Sequence, residues 1–163
     1  MLFTIGNKFY MDAVFKKSFK KANLSFGRFS SQPTILNNIL WYAVAEDKDN
    51  YYATFYSLFD SKNYSDKILT IPKNYDLLNM NEENLKTLTW FSNDYYNIYR
   101  KEKIGTYKYV DLRYPMINPD DINSSIFNFT IFYEDNSWDI LPFDGNPPSK
   151  EDFEKFSDRF WGI

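Results

Sequence analysis

The sequence contains no histidine and no cysteine. Without cysteine there is no disulfide framework, no thiolate nucleophile and no cysteine-based zinc site. Without histidine there is no Ser-His-Asp triad, no imidazole base and no imidazole-ligated metal. Glycine is scarce too, at 5 of 163 residues. No stretch reaches the roughly 18 apolar residues that a membrane-spanning helix needs. The first six residues are too short, and lack the cationic lead, to be a signal peptide. Carboxylates, lysine, tyrosine and serine are what remain for chemistry. Composition therefore argues against most catalytic machinery in this chain.

Rings are abundant: 16 Phe, 14 Tyr and 4 Trp. Most fall in segments with strand character, where aromatic residues are favoured for packing. They read as core, and the acidic composition around them opposes nucleic acid. The alternative is an aromatic cleft that takes a lipid or a sugar.

The net charge of −3 hides an asymmetry. Residues 1–30 hold six bases and one acid, whereas the other 133 residues hold 13 bases and 21 acids. A basic arm on an acidic body faces nucleic acid, a membrane surface or the body itself.

Residues 7–23 read as a helix about 25 Å long. Met11, Val14, Phe15, Ser18, Phe19 and Ala22 share one face at spacings of three and four. Lys8, Lys16, Lys20 and Lys21 lie mostly opposite, with Lys17 on the flank. This is either a surface helix packed on the core or a juxtamembrane helix whose lysines face anionic lipid. The apolar residues before it read either as the end of a membrane span or as an ordinary domain start.

Residues 30–33 read as a loop. Runs at 36–46 and 51–59 form a hairpin across Asp47-Lys48-Asp49-Asn50. The Asp47-x-Asp49 pattern only faintly resembles a calcium loop, because Tyr52 and Leu58 stand where glycine and glutamate are required. Residues 68–71 form a short strand stopped by Pro72. Asn81 caps a helix running through Trp90, with Leu85, Leu88 and Trp90 facing the core. Two further hairpins pair 95–100 with 106–114 and 126–133 with 138–143. Asn146-Pro147-Pro148 breaks the chain. Ser149 and Asp152 then open a terminal helix with a buried stripe of Phe153, Phe156 and Phe160.

The expected fold is α+β: a mostly antiparallel sheet of about six strands, with N-terminal, central and C-terminal helices packed on it. Residues 1–30 form a basic helix and linker, and residues 31–163 an α+β domain, the whole being one compact unit. Asp111 and Arg113 share a strand face. With Asp60, at the close of the first hairpin, they form a candidate polar cluster. It is either a carboxylate pair for acid–base work or a structural ion pair.

Four segments carry a family resemblance. Pro33-Thr34-Ile35-Leu36-Asn37-Asn38-Ile39-Leu40-Trp41 resembles "P-T-P-x-N-x-L-L-W". Phe55-Tyr56-Ser57-Leu58-Phe59-Asp60 resembles "G-Y-Y-S-L-L-D". Trp90-Phe91-Ser92-Asn93-Asp94-Tyr95-Tyr96 resembles "W-F-S-x-G-x-Y", and Val110-Asp111-Leu112-Arg113-Tyr114 resembles "x-D-L-R-F/Y". In order and spacing these are similar to the C-terminal region of the YdjM-type, membrane-bound, metal-dependent hydrolases, also called LexA-binding inner-membrane-associated hydrolases. Ile35 replaces a proline, Tyr42 an arginine and Asp94 a glycine of that pattern.

The resemblance implies a division of labour. The family's metal site is built on histidines in its membrane-embedded part, so any divalent metal belongs there and this chain holds no cofactor. This chain is then the soluble, non-catalytic domain, regulatory or partner-binding, and is inactive alone. Its partners are its own transmembrane region and the anionic membrane surface, touched by Lys8, Lys16, Lys17, Lys20 and Lys21. The lysines favour the cytoplasmic side.

Overall fold

A computed structural model describes residues 2–34, 37–121, 124–142 and 148–163. Ile35, Leu36, Asn123, Phe143, Asn146 and Pro147 lie outside the described residues. The fold is α+β and its sheets are antiparallel. The described strands number eight rather than about six, and they form two four-stranded sheets rather than one.

The chain runs α1 (Leu2–Lys21), β1 (Arg28–Pro33), β2 (Leu40–Glu46), β3 (Asn50–Ser57) and β4 (Ile68–Pro72). A single 3-10 turn at Tyr75–Leu77 leads to α2 (Glu83–Phe91). Then follow β5 (Tyr96–Arg100), β6 (Thr106–Asp111), β7 (Asn128–Glu134), β8 (Ser137–Pro142) and α3 (Lys150–Phe160). Strand order is sequential in each sheet, β1-β2-β3-β4 and β5-β6-β7-β8. Short connections dictate the β1–β2, β2–β3, β5–β6 and β7–β8 pairings, whereas β3–β4 and β6–β7 pair across longer segments.

Residues 30–33, read from sequence as a loop, belong to β1. Ser-Ser-Gln-Pro has little strand propensity, and its strand exists because β2 supplies a partner from Arg28↔Glu46 to Pro33↔Trp41. Pro33 and Pro72 close the two edge strands of this sheet, where a missing N–H interrupts no ladder.

Strand β2 is buried along its whole length because both faces are covered. One face carries Trp41, Ala43, Ala45, Tyr52 and Tyr56, which pack against Met11, Val14, Phe15 and Phe19 of α1. The other carries Leu40, Tyr42, Val44, Tyr51, Ala53 and Phe55. These meet Val110 of the second sheet, Tyr95, Leu112 and Met116 beside its strands, and Phe156 and Phe160 of α3. The Tyr42 hydroxyl donates to the Leu112 carbonyl at 2.9 Å, and Asn97 Nδ2 to the Pro72 carbonyl at 2.8 Å, so hydrogen bonds as well as apolar contacts join the sheets. The far face of the second sheet, with Tyr96, Ile98, Tyr109 and Ile131, is covered by Leu78, Met80, Leu85 and Leu88.

Four local expectations need correction. Asn81 does not cap α2: Glu82 holds that position without a side-chain bond, while the Asn81 amide is turned to Asn79. Trp90 is 80% exposed, since two residues past buried Leu88 is about 200° around a helix. In α3 the capping box of Ser149 and Asp152 forms as the sequence implies, but Phe153 is exposed and only Phe156 and Phe160 pack inward. Ala22, just past the end of α1, is exposed as well.

Candidate functional site

The three polar residues singled out from sequence fall into two separate ion pairs. Asp111 ends β6 with its side chain wholly buried. Its Oδ1 accepts from Arg113 N and Nε, both at 3.0 Å, and its Oδ2 from Arg113 Nη2 at 2.6 Å. The bond to Asp111 raises the Arg113 guanidinium above its ordinary range. That guanidinium also lies over the Phe91 ring at 5.3 Å. A chain reversal just after a strand end makes this two-residue pairing possible.

Asp60 follows β3 and pairs with Arg159 of α3 instead. Arg159 Nη1 donates to Asp60 Oδ1 at 2.7 Å, and Nη2 to Oδ2 at 2.6 Å. Nη2 also donates to the Phe55 carbonyl at 2.9 Å. The Ser57 amide donates to Asp60 Oδ2, and the Ser57 hydroxyl to the Phe160 carbonyl at 2.6 Å. Arg159 stands 99 residues from Asp60, so no local pattern could have found it.

A third charged group was missed entirely. Glu46, at the end of β2, accepts from Arg28 Nε and from Lys73 Nζ, the latter at 2.8 Å. Lys73 lies over Tyr51 at 4.7 Å and Tyr75 at 5.4 Å, and Arg28 over Tyr95 at 4.2 Å. Burial pushes the Tyr95 hydroxyl up to about 12. The available signal was the strand pattern, since the alternation that buries Tyr42 and Val44 also turns Glu46 inward.

Each carboxylate has both oxygens bound to cations, an arrangement that holds the charged form and fixes geometry. A general acid or base instead needs a carboxyl able to gain and lose a proton against a substrate. Among the described residues, no group of three or more acidic side chains is placed to hold a metal ion. Asp47 heads the β2–β3 turn, accepting the Asp49 and Asn50 amides. The Tyr52 hydroxyl on its other oxygen is the main cause holding Asp47 below the usual carboxylate range.

The remaining motif residues organise backbone. Asn37 Oδ1 accepts the Ile39 and Leu40 amides and so turns the chain into β2. The Asn38 carbonyl accepts from Asn7 of α1 at 3.0 Å and from the Trp41 indole at 3.1 Å. Asn93 and Asp94 have φ of +49° and +59°, the left-handed region that glycine enters most readily.

The five lysines of α1 divide by side. Lys8 Nζ donates to Asp12 and to Ser31 of β1, each at 2.6 Å, and Lys16 lies over Phe29 at 5.3 Å. Lys17 and Lys21 lean the other way, onto Tyr64, at 5.9 and 3.8 Å from the ring centre. Lys20 is exposed. No described helix is long and apolar enough to cross a membrane.

Comparison with family models, curated proteins and solved structures returns no match for this chain.

Proposed function

We propose that this chain is the soluble, non-catalytic domain of a membrane-bound metal-dependent hydrolase of the YdjM type, with a regulatory or partner-binding role at the cytoplasmic membrane surface. The observation that carries this reading is the state of the motif carboxylates. Asp60 and Asp111 are each locked to an arginine through both oxygens, which suits holding a scaffold better than proton transfer. Asp94 adds support: it stands where the resembling pattern has glycine, and its φ is positive. The metal chemistry, in this reading, belongs to the histidine-bearing membrane part of the parent protein.

The reading frame upstream of Met1 tests the proposal. Several hydrophobic spans with a histidine motif are expected there, and an in-frame stop codon would overturn it. Incubating the chain with divalent metals and phosphoester or amide substrates should give no turnover. Turnover that disappears in Asp60→Asn or Asp111→Asn would place catalysis in this chain instead.

A further inference from the structure

One face of the molecule combines surplus lysine with exposed rings, although these residues come from three distant parts of the sequence. Lys17 and Lys21 of α1 and Lys62 all lie over the Tyr64 ring, Lys62 at 5.7 Å. Tyr64, Lys62 and Lys67 line a cavity of 140 Å³ together with Arg159, Gly162 and Ile163. Asp60 and Asp66 line it too, but Asp60 is held by Arg159 and Asp66 by Lys62. Five bases thus face two acids, and Lys17, Lys21 and Lys67 are the surplus.

The apolar half adjoins the same cavity. Trp161 stacks on Phe59 at 5.3 Å with their planes 19° apart, and Phe160 packs edge-on against both. Phe59, Trp161 and Ile163 are 50%, 58% and 78% exposed. Gly162 makes the stack possible. Its φ is +76°, and a side-chain carbon there would lie 2.9 Å from the Phe59 carbonyl group.

We infer that this face docks on an anionic phospholipid surface, with Phe59, Trp161 and Ile163 in the interfacial layer and Lys17, Lys21 and Lys67 against the headgroups. The inference rests on the membrane-surface reading above and deepens it by naming the face. Charge complementarity selects the occupant: exposed aromatic residues beside unneutralised lysines match the interface of a negatively charged bilayer. The cavity between the two halves suits a phosphate group rather than a drug-sized ligand. It also separates the lysines of α1 by role. Lys17 and Lys21 face lipid, whereas Lys8 and Lys16 are turned to β1.

Vesicle co-sedimentation tests this, using phosphatidylcholine with about one-third phosphatidylglycerol and pure phosphatidylcholine as the reference. The chain should bind the anionic vesicles only. Lys17→Glu/Lys21→Glu/Lys67→Glu should weaken binding by about tenfold or more, and Lys8→Glu/Lys16→Glu should not. Bilayer-embedded bromolipid should quench tryptophan fluorescence in the parent chain and much less in Trp161→Phe. Near-ultraviolet circular dichroism checks that each variant is folded. The inference is overturned by equal losses from the two sets of lysine variants, or by quenching that persists in Trp161→Phe through Trp90. A lipid-free dimer that buries Phe59 and Trp161 overturns it as well. Failure of the parent chain to bind anionic vesicles overturns the lipid face, while the upstream reading frame remains a separate test of the family reading.

Discussion

Helices α1 and α3 both pack on the first sheet, on opposite faces, and they are held in different ways. Helix α1 inserts Met11, Val14, Phe15 and Phe19, all fully or nearly fully buried, among Trp41, Ala43, Ala45 and Tyr56. Helix α3 buries no residue completely. It leans Phe156 and Phe160 on the core and is fixed by Arg159 on Asp60, by Ser57 on Phe160 and by its capping box. One helix is part of the core; the other is a polar latch on its rim. The difference teaches that α1 can leave only when the sheet unfolds, whereas α3 can open by itself.

The largest expected effect is therefore at α1. Phe15→Ala removes a wholly buried ring and should cost about 3–5 kcal/mol in global stability, measured by urea unfolding. A loss confined to α1 amides in hydrogen exchange would contradict its place in the core.

Asp60→Ala should be smaller and local. It strips Arg159 of its carboxylate in a pair whose side chains are only 13% and 12% exposed. About 2 kcal/mol is expected, below the range for fully buried pairs because water reaches this one. Hydrogen exchange should show α3 opening while α1 and the sheets stay protected. Equal deprotection of all elements would make α3 integral to the fold.

Ser149→Ala should have the least effect, about 1 kcal/mol on α3 alone. The cap has an acid dependence of known sign. The Ser149 backbone amide and hydroxyl lower the Asp152 carboxyl below 3.8. Its contribution is present above that value and is lost as pH falls through the folded pKa. Exchange of α3 amides below pH 4 should thus rise before that of α1, and in Ser149→Ala the gap should narrow.

How far the sequence revealed this comparison depends on the range of each interaction. The buried face of α1 was legible because Met11, Val14, Phe15 and Phe19 repeat at helical spacing. The hairpins β2–β3, β5–β6 and β7–β8 were legible from alternating apolar runs around polar turns. Strand β1 was not, because its pairing comes from β2 rather than from its own residues. Of the polar residues, Asp111 and Arg113 could be paired from sequence, being two apart in one apolar run, although Arg113 lies in the turn past β6 rather than on the strand. The partner of Asp60 could not, nor could the meeting of Glu46 with Lys73, 27 residues away. The same holds for Trp161 on Phe59, a contact made by the topology rather than by any motif.

The Asn38 carbonyl has a mechanical consequence. It is bonded at once to Asn7 near the start of α1 and to the indole of Trp41 inside the sheet. A pull along α1 from its N-terminal side is thus delivered to the start of β2, and through Leu58 on Ile39 to the end of β3. The end of β3 is also where α3 is fastened, through Ser57 on Phe160 and Asp60 on Arg159. In a chain tethered through α1, tension therefore reaches the first sheet and the Arg159 latch at the same place.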